Sequence, residues 1–365
     1  HFYAFYDVVV VGGGVAGLQA AKAAALRGVK VLLMEQTAHW GGRAPVDGGE
    51  VDGAAAQVFV DTLVAELSAM DNVVMKTRMM GAGVYDHGYL LGYERVRDHA
   101  PKVKGPRHRL WRIRAGQIIT ATGAIERPLS FAGNDIPGVM LASALRDYVV
   151  NYGVSIGDRT VVVTNNDDAY RTALILKKAG LEVSVILDAR AGGGGALAQA
   201  ARDAGIRVEN GKAIAKVKGG KRVKSVAICA QAGEGSVLEE IECDAVAMSG
   251  GWSPVVHLWS HCGGKLVWDD ADAMFRPNPE KAPTGEKGEA FVLTAGSASG
   301  HFGLDAILQD ATDAGKTAAA QMGGKPVDVI APAASARNEA PLEPVWMMPQ
   351  GANIKLRMKA WLDFQ

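Results

Sequence analysis

The sequence is poor in cysteine, with three in 365 residues: Cys229, Cys243 and Cys262. An odd number without a C-x-x-C pair excludes a disulfide framework and a dithiol redox centre. An excess of one charge is missing too, since Lys plus Arg number 39 and Asp plus Glu number 39. Nothing steers the chain towards phosphate polymers or anionic lipid, so neither nucleic acid nor membrane is an expected partner. No run of ~18 apolar residues occurs, and the apolar start leads into a strand rather than a cleavage site. These absences argue against a spanning helix and a signal peptide and make a cytoplasmic location the expectation. His257 and His261 precede Cys262 at helical spacing, but no carboxylate or second cysteine stands at ligand distance in sequence. They are expected to be packing residues, with no metal site.

Glycine, by contrast, is abundant at 45 residues, well above the average of about 7%, and the excess calls for specific loops. Asp7 to Val11 is uniformly apolar and β-branched after its first residue, the pattern of a parallel strand buried on both faces. Gly12-Gly13-Gly14-Val15-Ala16-Gly17 follows, then an Ala- and Leu-rich helix from Leu18 to Arg27, a break at Gly28, and a strand from Val29 to Met34 ending in Glu35. A helix around Ala54 to Met70, a strand at Val73 to Lys76, a meander from Gly83 to Arg114 and a strand at Ile118 to Ala121 complete the first region.

From Gly157 the pattern repeats: strand Thr160 to Thr164, helix Ala169 to Ala179, strand Glu182 to Leu187 ending at Asp188. Stretches 212–230 and 236–247 alternate like antiparallel strands, and 277–288 is a surface loop. Phe291 to Ala295 is a short strand and Leu304 to Met322 a helix. The expected fold is α/β, with two Rossmann-like three-layer dinucleotide-binding domains, the second inserted in the first and degenerate. Residues 1–150 and 289–330 form the first, 155–288 the second, and 331–365, rich in Ala and Pro, an extended tail.

Gly12-x-Gly14-x-x-Gly17 follows a strand, opens a helix and has Glu35 at the end of the next strand. Gly12 permits the tight turn, Gly14 the approach of a pyrophosphate to the backbone, and Gly17 close packing of helix on strand, with the helix N-terminus facing the phosphates. Glu35 is placed to accept hydrogen bonds from both ribose hydroxyls, and its charge disfavours a 2′-phosphate, hence NADP. Trp40-Gly41-Gly42-Arg43 offers bare backbone and a cation beside the pyrophosphate. The second unit has lost its glycines. Its loop reads Thr164-Asn165-Asn166-Asp167-Asp168-Ala169, whose carboxylates would cap the helix and repel a pyrophosphate. That unit is expected to hold no dinucleotide, and Asp188 to be a surface residue. Sequence adjacency assembles no catalytic constellation, so no catalytic residue is assigned.

Together with a late Thr294-Ala295-Gly296-Ser297, this order resembles the two-dinucleotide-domain flavoprotein disulfide reductase superfamily. More narrowly, several blocks look like the α subunit of heterotetrameric sarcosine oxidase: Ala121-Thr122-Gly123-Ala124-Ile125-Glu126-Arg127-Pro128, Phe131-Ala132-Gly133-Asn134-Asp135, Pro137-Gly138-Val139-Met140, Thr164-Asn165-Asn166-Asp167, Tyr170-Arg171-Thr172-Ala173 and Asp363-Phe364-Gln365. The resemblance implies NAD in the first unit, with FAD as the alternative. It also implies a partner β subunit whose FAD oxidises sarcosine, an FMN near the subunit interface, and smaller subunits of a hetero-oligomer. The complex demethylates sarcosine, a small secondary amine, to glycine, forming formaldehyde or methylene-tetrahydrofolate and hydrogen peroxide.

Carried over by motif, Gly12, Gly14 and Gly17 hold the pyrophosphate and Glu35 the ribose, while Gly42, Arg43, Thr122 and Gly123 line the phosphates and neighbouring edges. Met79 lies near the adenine by its main chain, and Val15, Ala16, Gln36, Ala121, Gly296 and Gly303 complete the expected cofactor-binding set. Gly296-Ser297 stands where FAD-binding relatives have Gly-Asp, which fits NAD better than FAD. Family α subunits also carry an N-terminal domain and a folate-binding domain that this sequence lacks. The chain is therefore expected to be a fragment, a processed form or a shorter relative. Two other readings stay open: a self-sufficient FAD-dependent oxidoreductase acting on a small amine, and a non-catalytic scaffold stabilised by nucleotide.

Overall fold

The computed structural model describes residues 2–286, 288–350 and 359–362; the block 363–365 lies outside them. Two compact units are present. The first comprises residues up to Ile125, Ser253–Asp269 and Met274–Arg337, and the second Glu126–Trp252, Asp270–Ala273 and residues from Asn338 onwards.

In the first unit, strand Phe2–Val11 pairs in parallel with Val31–Met34 on one side and with His108–Thr120 on the other. Val73–Lys76 extends the sheet beyond Val31–Met34, and Val292–Thr294 pairs in parallel with the end of the long strand. The expected meander is there, but it begins at Met79. Met79–Tyr85 and Tyr89–Arg95 run antiparallel, and the second of them pairs with His108–Thr120. The third meander strand and the expected strand at Ile118 are thus one continuous element. Val8, Val9 and Val10 are fully buried, because helices Val15–Ala25 and Leu304–Gln321 cover one face and Trp259, Val84 and Ile113 pack on the other. The two helices approach closely through small residues: a Cβ on Gly315 would lie 2.3 Å from the Ala20 carbonyl oxygen. Gln19 Nε2 donates to Thr312 Oγ1 across the same contact, 2.8 Å, in the interior.

The second unit holds a five-stranded parallel sheet in the order Val139–Leu141, Ala245–Ser249, Arg159–Thr164, Glu182–Asp188, Val208–Asn210. Helices Ala142–Tyr152, Asp168–Lys178 and Ala196–Asp203 supply residues to the cluster on one face. An antiparallel sheet of Lys212–Gly219, Val223–Ala230 and Glu239–Glu242 packs on the other.

Three expectations are corrected here. Residues 126–150 belong to the second unit, because Val139–Leu141 pairs with Ala245–Ser249 and helix Ala142–Tyr152 packs on that sheet. Residues from Ser253 to Asp269 and from Met274 belong to the first. The stretch 236–247 divides: only Glu239–Glu242 is antiparallel, while Ala245 starts a buried strand of the parallel sheet. Residues 331–350 carry isolated bridges but no helix or strand, and from Asn338 onwards they belong to the second unit. No helix among the described residues is long and apolar enough to cross a membrane.

Candidate functional site

The chain leaves strand Phe2–Val11 through Gly12, whose φ of +113° is left-handed and whose Cβ would sit 2.2 Å from the Ala121 carbonyl oxygen. A Cβ on Gly17 would lie 1.8 Å from the Gly12 carbonyl oxygen. The fold itself forces both glycines. Gly14 differs. It is extended, with φ −71° and ψ −179°, and a Cβ there would meet only the Gly42 Cα, at 3.8 Å. The protein leaves that space open. Gly14 is also the N-cap of helix Val15–Ala25, which has no side-chain cap and no acidic residue in its first turn. The amides of Val15, Ala16 and Gly17, at the positive end of the helix, suit an anion.

Glu35 is buried at the end of its strand. Its Oε2 accepts from the Gly13 amide at 2.7 Å and its Oε1 from the Thr37 amide at 2.6 Å. Each carboxylate oxygen retains a second lone pair, enough for the two hydroxyls of an unphosphorylated ribose. Met79 donates its amide to the Glu35 carbonyl at 2.8 Å. Gln36 is exposed and its carbonyl accepts from Arg95.

The loop 40–43 closes against the glycine turn. Gly41 bridges to Gly14 and donates to the Gly13 carbonyl at 2.8 Å, and Gly42 abuts the Gly14 Cα. Arg43 stands nearby and forms a two-pronged pair with Asp47, both bonds 2.8 Å. Ala121 donates to the Val11 carbonyl beneath the loop, 2.8 Å. Thr122 Oγ1 donates to the Val255 carbonyl at 2.7 Å, and the Gly123 carbonyl accepts from the Val255 amide at 2.9 Å. Gly296 meets the helix start, since a Cβ on it would be 2.6 Å from Ala16 Cβ. Gly303 caps helix Leu304–Gln321, with Asp305 and Arg337 as its nearest neighbours.

Two contributors were not foreseen. Thr37 fixes Glu35 through a backbone amide, which no side-chain motif announces. Asp310 Oδ2 accepts from the Gly296 amide at 2.8 Å, with His301 3.8 Å from its other oxygen. Burial pushes its carboxyl above the ordinary value, against the opposing pull of Gly296 and His301. Asp310 lies mid-helix, at no diagnostic spacing from the glycines.

The corresponding place in the second unit does not fit a dinucleotide. Asp167 makes no capping bond at its helix. It is buried, and its Oδ1 lies 2.6 Å from Arg190 Nη2. Asp188, expected at the surface, is fully buried. It accepts from Arg190 Nε at 2.9 Å and Nη2 at 2.7 Å, and from the Tyr170 hydroxyl at 2.7 Å. Arg190, two residues further on, folds back to pair with both acids. Burial works against its charge, but the bonds to Asp188 and Asp167 outweigh it and hold the guanidinium above its ordinary range. Asp168 pairs with Arg146 at 3.0 Å and with Arg171 at 3.3 Å. Arg190 and the Asp167 and Asp188 carboxylates stand at the loop and strand end that correspond to the glycine turn and Glu35 of the first unit.

His261 Nδ1 contacts the Val84 carbonyl at 2.8 Å, and the Cys262 thiol donates to the Leu258 carbonyl. Among the described residues no His, Cys, Asp and Glu group is arranged for a metal.

A sequence profile of the pyridine nucleotide-disulphide oxidoreductase family matches residues 6–271. The chain belongs to this family. A member of it, the chain is 37% identical over 357 residues to the sarcosine oxidase subunit alpha of Corynebacterium sp. (strain P-1), covering 96% of this chain and 36% of that one. It is 35% identical over 367 residues to the sarcosine oxidase subunit alpha of Rhizobium meliloti (strain 1021), covering 100% of this chain and 35% of the other. It thus spans about a third of the length of these relatives. Among solved structures, the thioredoxin reductase of T. acidophilum aligns with a TM-score of 0.62 at 18% identity, over 87% of this chain and 97% of that one. That similarity concerns the fold. The family is one of nucleotide-binding oxidoreductases.

Proposed function

We propose that the chain is the NAD-binding part of a sarcosine-oxidase-like α subunit, with NAD held in the first unit. The observation that carries the dinucleotide is Glu35, buried and pinned by the Gly13 and Thr37 amides; Gly296-Ser297, where FAD-binding relatives have Gly-Asp, favours NAD over FAD. A fixed carboxylate suits two free ribose hydroxyls and repels a 2′-phosphate. Gly12, Gly14, Val15, Ala16 and Gly17 then face the pyrophosphate. Gly42, Arg43, Ala121, Thr122, Gly123, Gly296 and Gly303 form the surrounding edge, and Gln36 and Met79 the adenosine side. When bound, the nicotinamide would supply a ring able to accept hydride, which the overall reaction with oxygen does not consume. The residues of this chain bind and orient it, and among the described residues none is placed as an acid, a base or a nucleophile in the oxidation.

The similarity to sarcosine oxidase α subunits further supports partner subunits that bring FAD and FMN. In such a complex sarcosine, oxygen and water become glycine, formaldehyde and hydrogen peroxide, or the one-carbon unit passes to tetrahydrofolate. On this reading the amine is oxidised at the partner's FAD.

The test is to record a visible spectrum of the purified chain, denature it, and identify the released nucleotide by mass spectrometry. NAD without flavin is expected, together with no peroxide when the isolated chain is given sarcosine. One FAD per chain, or peroxide from the chain alone, overturns the proposal in favour of a self-sufficient flavoenzyme.

A further inference from the structure

In a parallel α/β sheet, ligands seat at the carboxyl ends of the strands. In the second unit three of the five ends are Thr164, Asp188 and Ser249, and a segment of the chain itself bonds to residues just beyond each of these three. The Ala340 amide donates to Asp167 Oδ2 at 2.9 Å, an oxygen that also accepts from Gly195. Arg190 Nη1 donates to the Pro341 carbonyl at 3.0 Å. Asn165 grips the segment three times: its Nδ2 donates to the carbonyls of Glu343 at 2.9 Å and Val345 at 3.0 Å, and its carbonyl accepts from the Glu343 amide at 3.1 Å. Trp346 Nε1 donates to the Gly250 carbonyl at 2.8 Å, and the Arg127 guanidinium stacks 4.8 Å from its ring centre. A Cβ on Gly250 would lie 2.8 Å from the Pro128 carbonyl oxygen and 2.9 Å from the Arg127 carbonyl oxygen and the Trp346 ring, so backbone and indole alike leave room only for glycine. Met348, buried among the core residues, ends the segment, and its amide donates to the Ser130 carbonyl at 2.8 Å.

We infer that the carboxyl-end cleft of the second unit is a peptide-binding site filled in cis by residues 338–348, and that it takes no pyridine nucleotide. The polar groups that line it are built for a peptide. Asn165 offers donors and an acceptor to a main chain, Asp167 accepts from a peptide amide, and Arg171 pairs with Glu339. Asp167 at the helix start opposes phosphate whether the segment is seated or not. The loss of the glycines and the gain of Asn165, Asp167 and Arg190 are then one change: a nucleotide site rebuilt as a receptor for the chain's own strap. Whatever nucleotide the first unit holds, reducing equivalents do not arrive as NADH bound to the second. The inference is independent of whether that nucleotide is NAD or FAD.

The experiment is amide hydrogen exchange on the full chain in its native assembly, with and without millimolar NADH or NADPH, beside a calorimetric titration after saturation of the first unit. The amides of Ala340, Glu343 and Met348 should be protected at least about a hundredfold, unchanged by either nucleotide, with no further equivalent bound. Asn165→Ala should raise exchange in 338–348 about tenfold or more without creating a nucleotide site. Binding of a further NADH or NADPH with loss of protection over 338–348 overturns the inference, as does rapid exchange of those amides in the wild-type chain. If Asn165→Ala does not fold, the wild-type measurements decide.

Discussion

Gly14→Ala separates the nucleotide site from the fold. The new Cβ meets nothing closer than the Gly42 Cα at 3.8 Å, and φ of −71° is allowed for alanine. Alanine lowers the entropy of the unfolded chain, favouring folding by about 0.4–1 kcal/mol, while replacing a glycine N-cap by alanine costs about 0.3–1.5 kcal/mol. The two nearly offset. A net change within about 1 kcal/mol shifts Tm by no more than about 4 °C for a domain of this class. The nucleotide meets a different situation, because the methyl group enters the space over the helix start. Overpacking of about 1–3 kcal/mol weakens affinity by a factor of about 5 to 150. Thermal unfolding of nucleotide-free protein and calorimetric titration with NAD measure the two effects separately. A variant that melts like the wild type and binds NAD equally well would refute the placement of the pyrophosphate at Gly14.

Gly17→Ala should fail at the fold instead: its Cβ falls 1.8 Å from the Gly12 carbonyl oxygen. A loss of about 3 kcal/mol or more is expected in urea unfolding, and a loss under 1 kcal/mol would contradict the packing. Burial, with Asp168 adding to it, pushes the Glu126 carboxyl from 4.5 up to about 7. Between those pH values the unfolded chain has released a proton that the folded chain keeps, so stability falls as pH rises, by up to about 3 kcal/mol. Glu126→Gln should abolish that slope in urea midpoints taken across the window; an unchanged slope would exclude Glu126 as its source. Burial also raises the thiols of Cys229 and Cys262 to about 11 and that of Cys243 to about 12. At pH 8 the native protein should therefore be inert to thiol reagents and show its three thiols only in denaturant, a pattern that one fast-reacting native thiol would break.

The first βαβ unit was legible because each signal agreed with the next: a buried apolar strand, glycines at fixed offsets, a helix former and an acid at the following strand end. The repeat was equally visible in 160–188, since hydrophobic periodicity survives the loss of the glycines. Asp188 escaped because a charge at a strand end ordinarily faces water, and only the tertiary position of Arg190 makes its burial tolerable. Composition could not give the role of 338–348 either. A Pro- and Ala-rich stretch reads as extended, which it is, but what it lies on depends on Asn165 and Asp167, more than 170 residues earlier. Ala245 was misplaced for a simpler reason: a short run such as Ala245–Ser249 alternates too little to show whether its neighbours run parallel or antiparallel.

The Glu35 carboxylate is held by two backbone amides of its own unit, so its rotamer is chosen when the chain folds. Confining a glutamate side chain costs about 1.5–2 kcal/mol, and a ligand that has to impose that order itself forfeits about ten- to thirtyfold in affinity. On the proposed reading a ribose arriving at this site would meet an acceptor already aimed, and the entropy of aiming it would belong to the stability of the fold rather than to the dissociation constant.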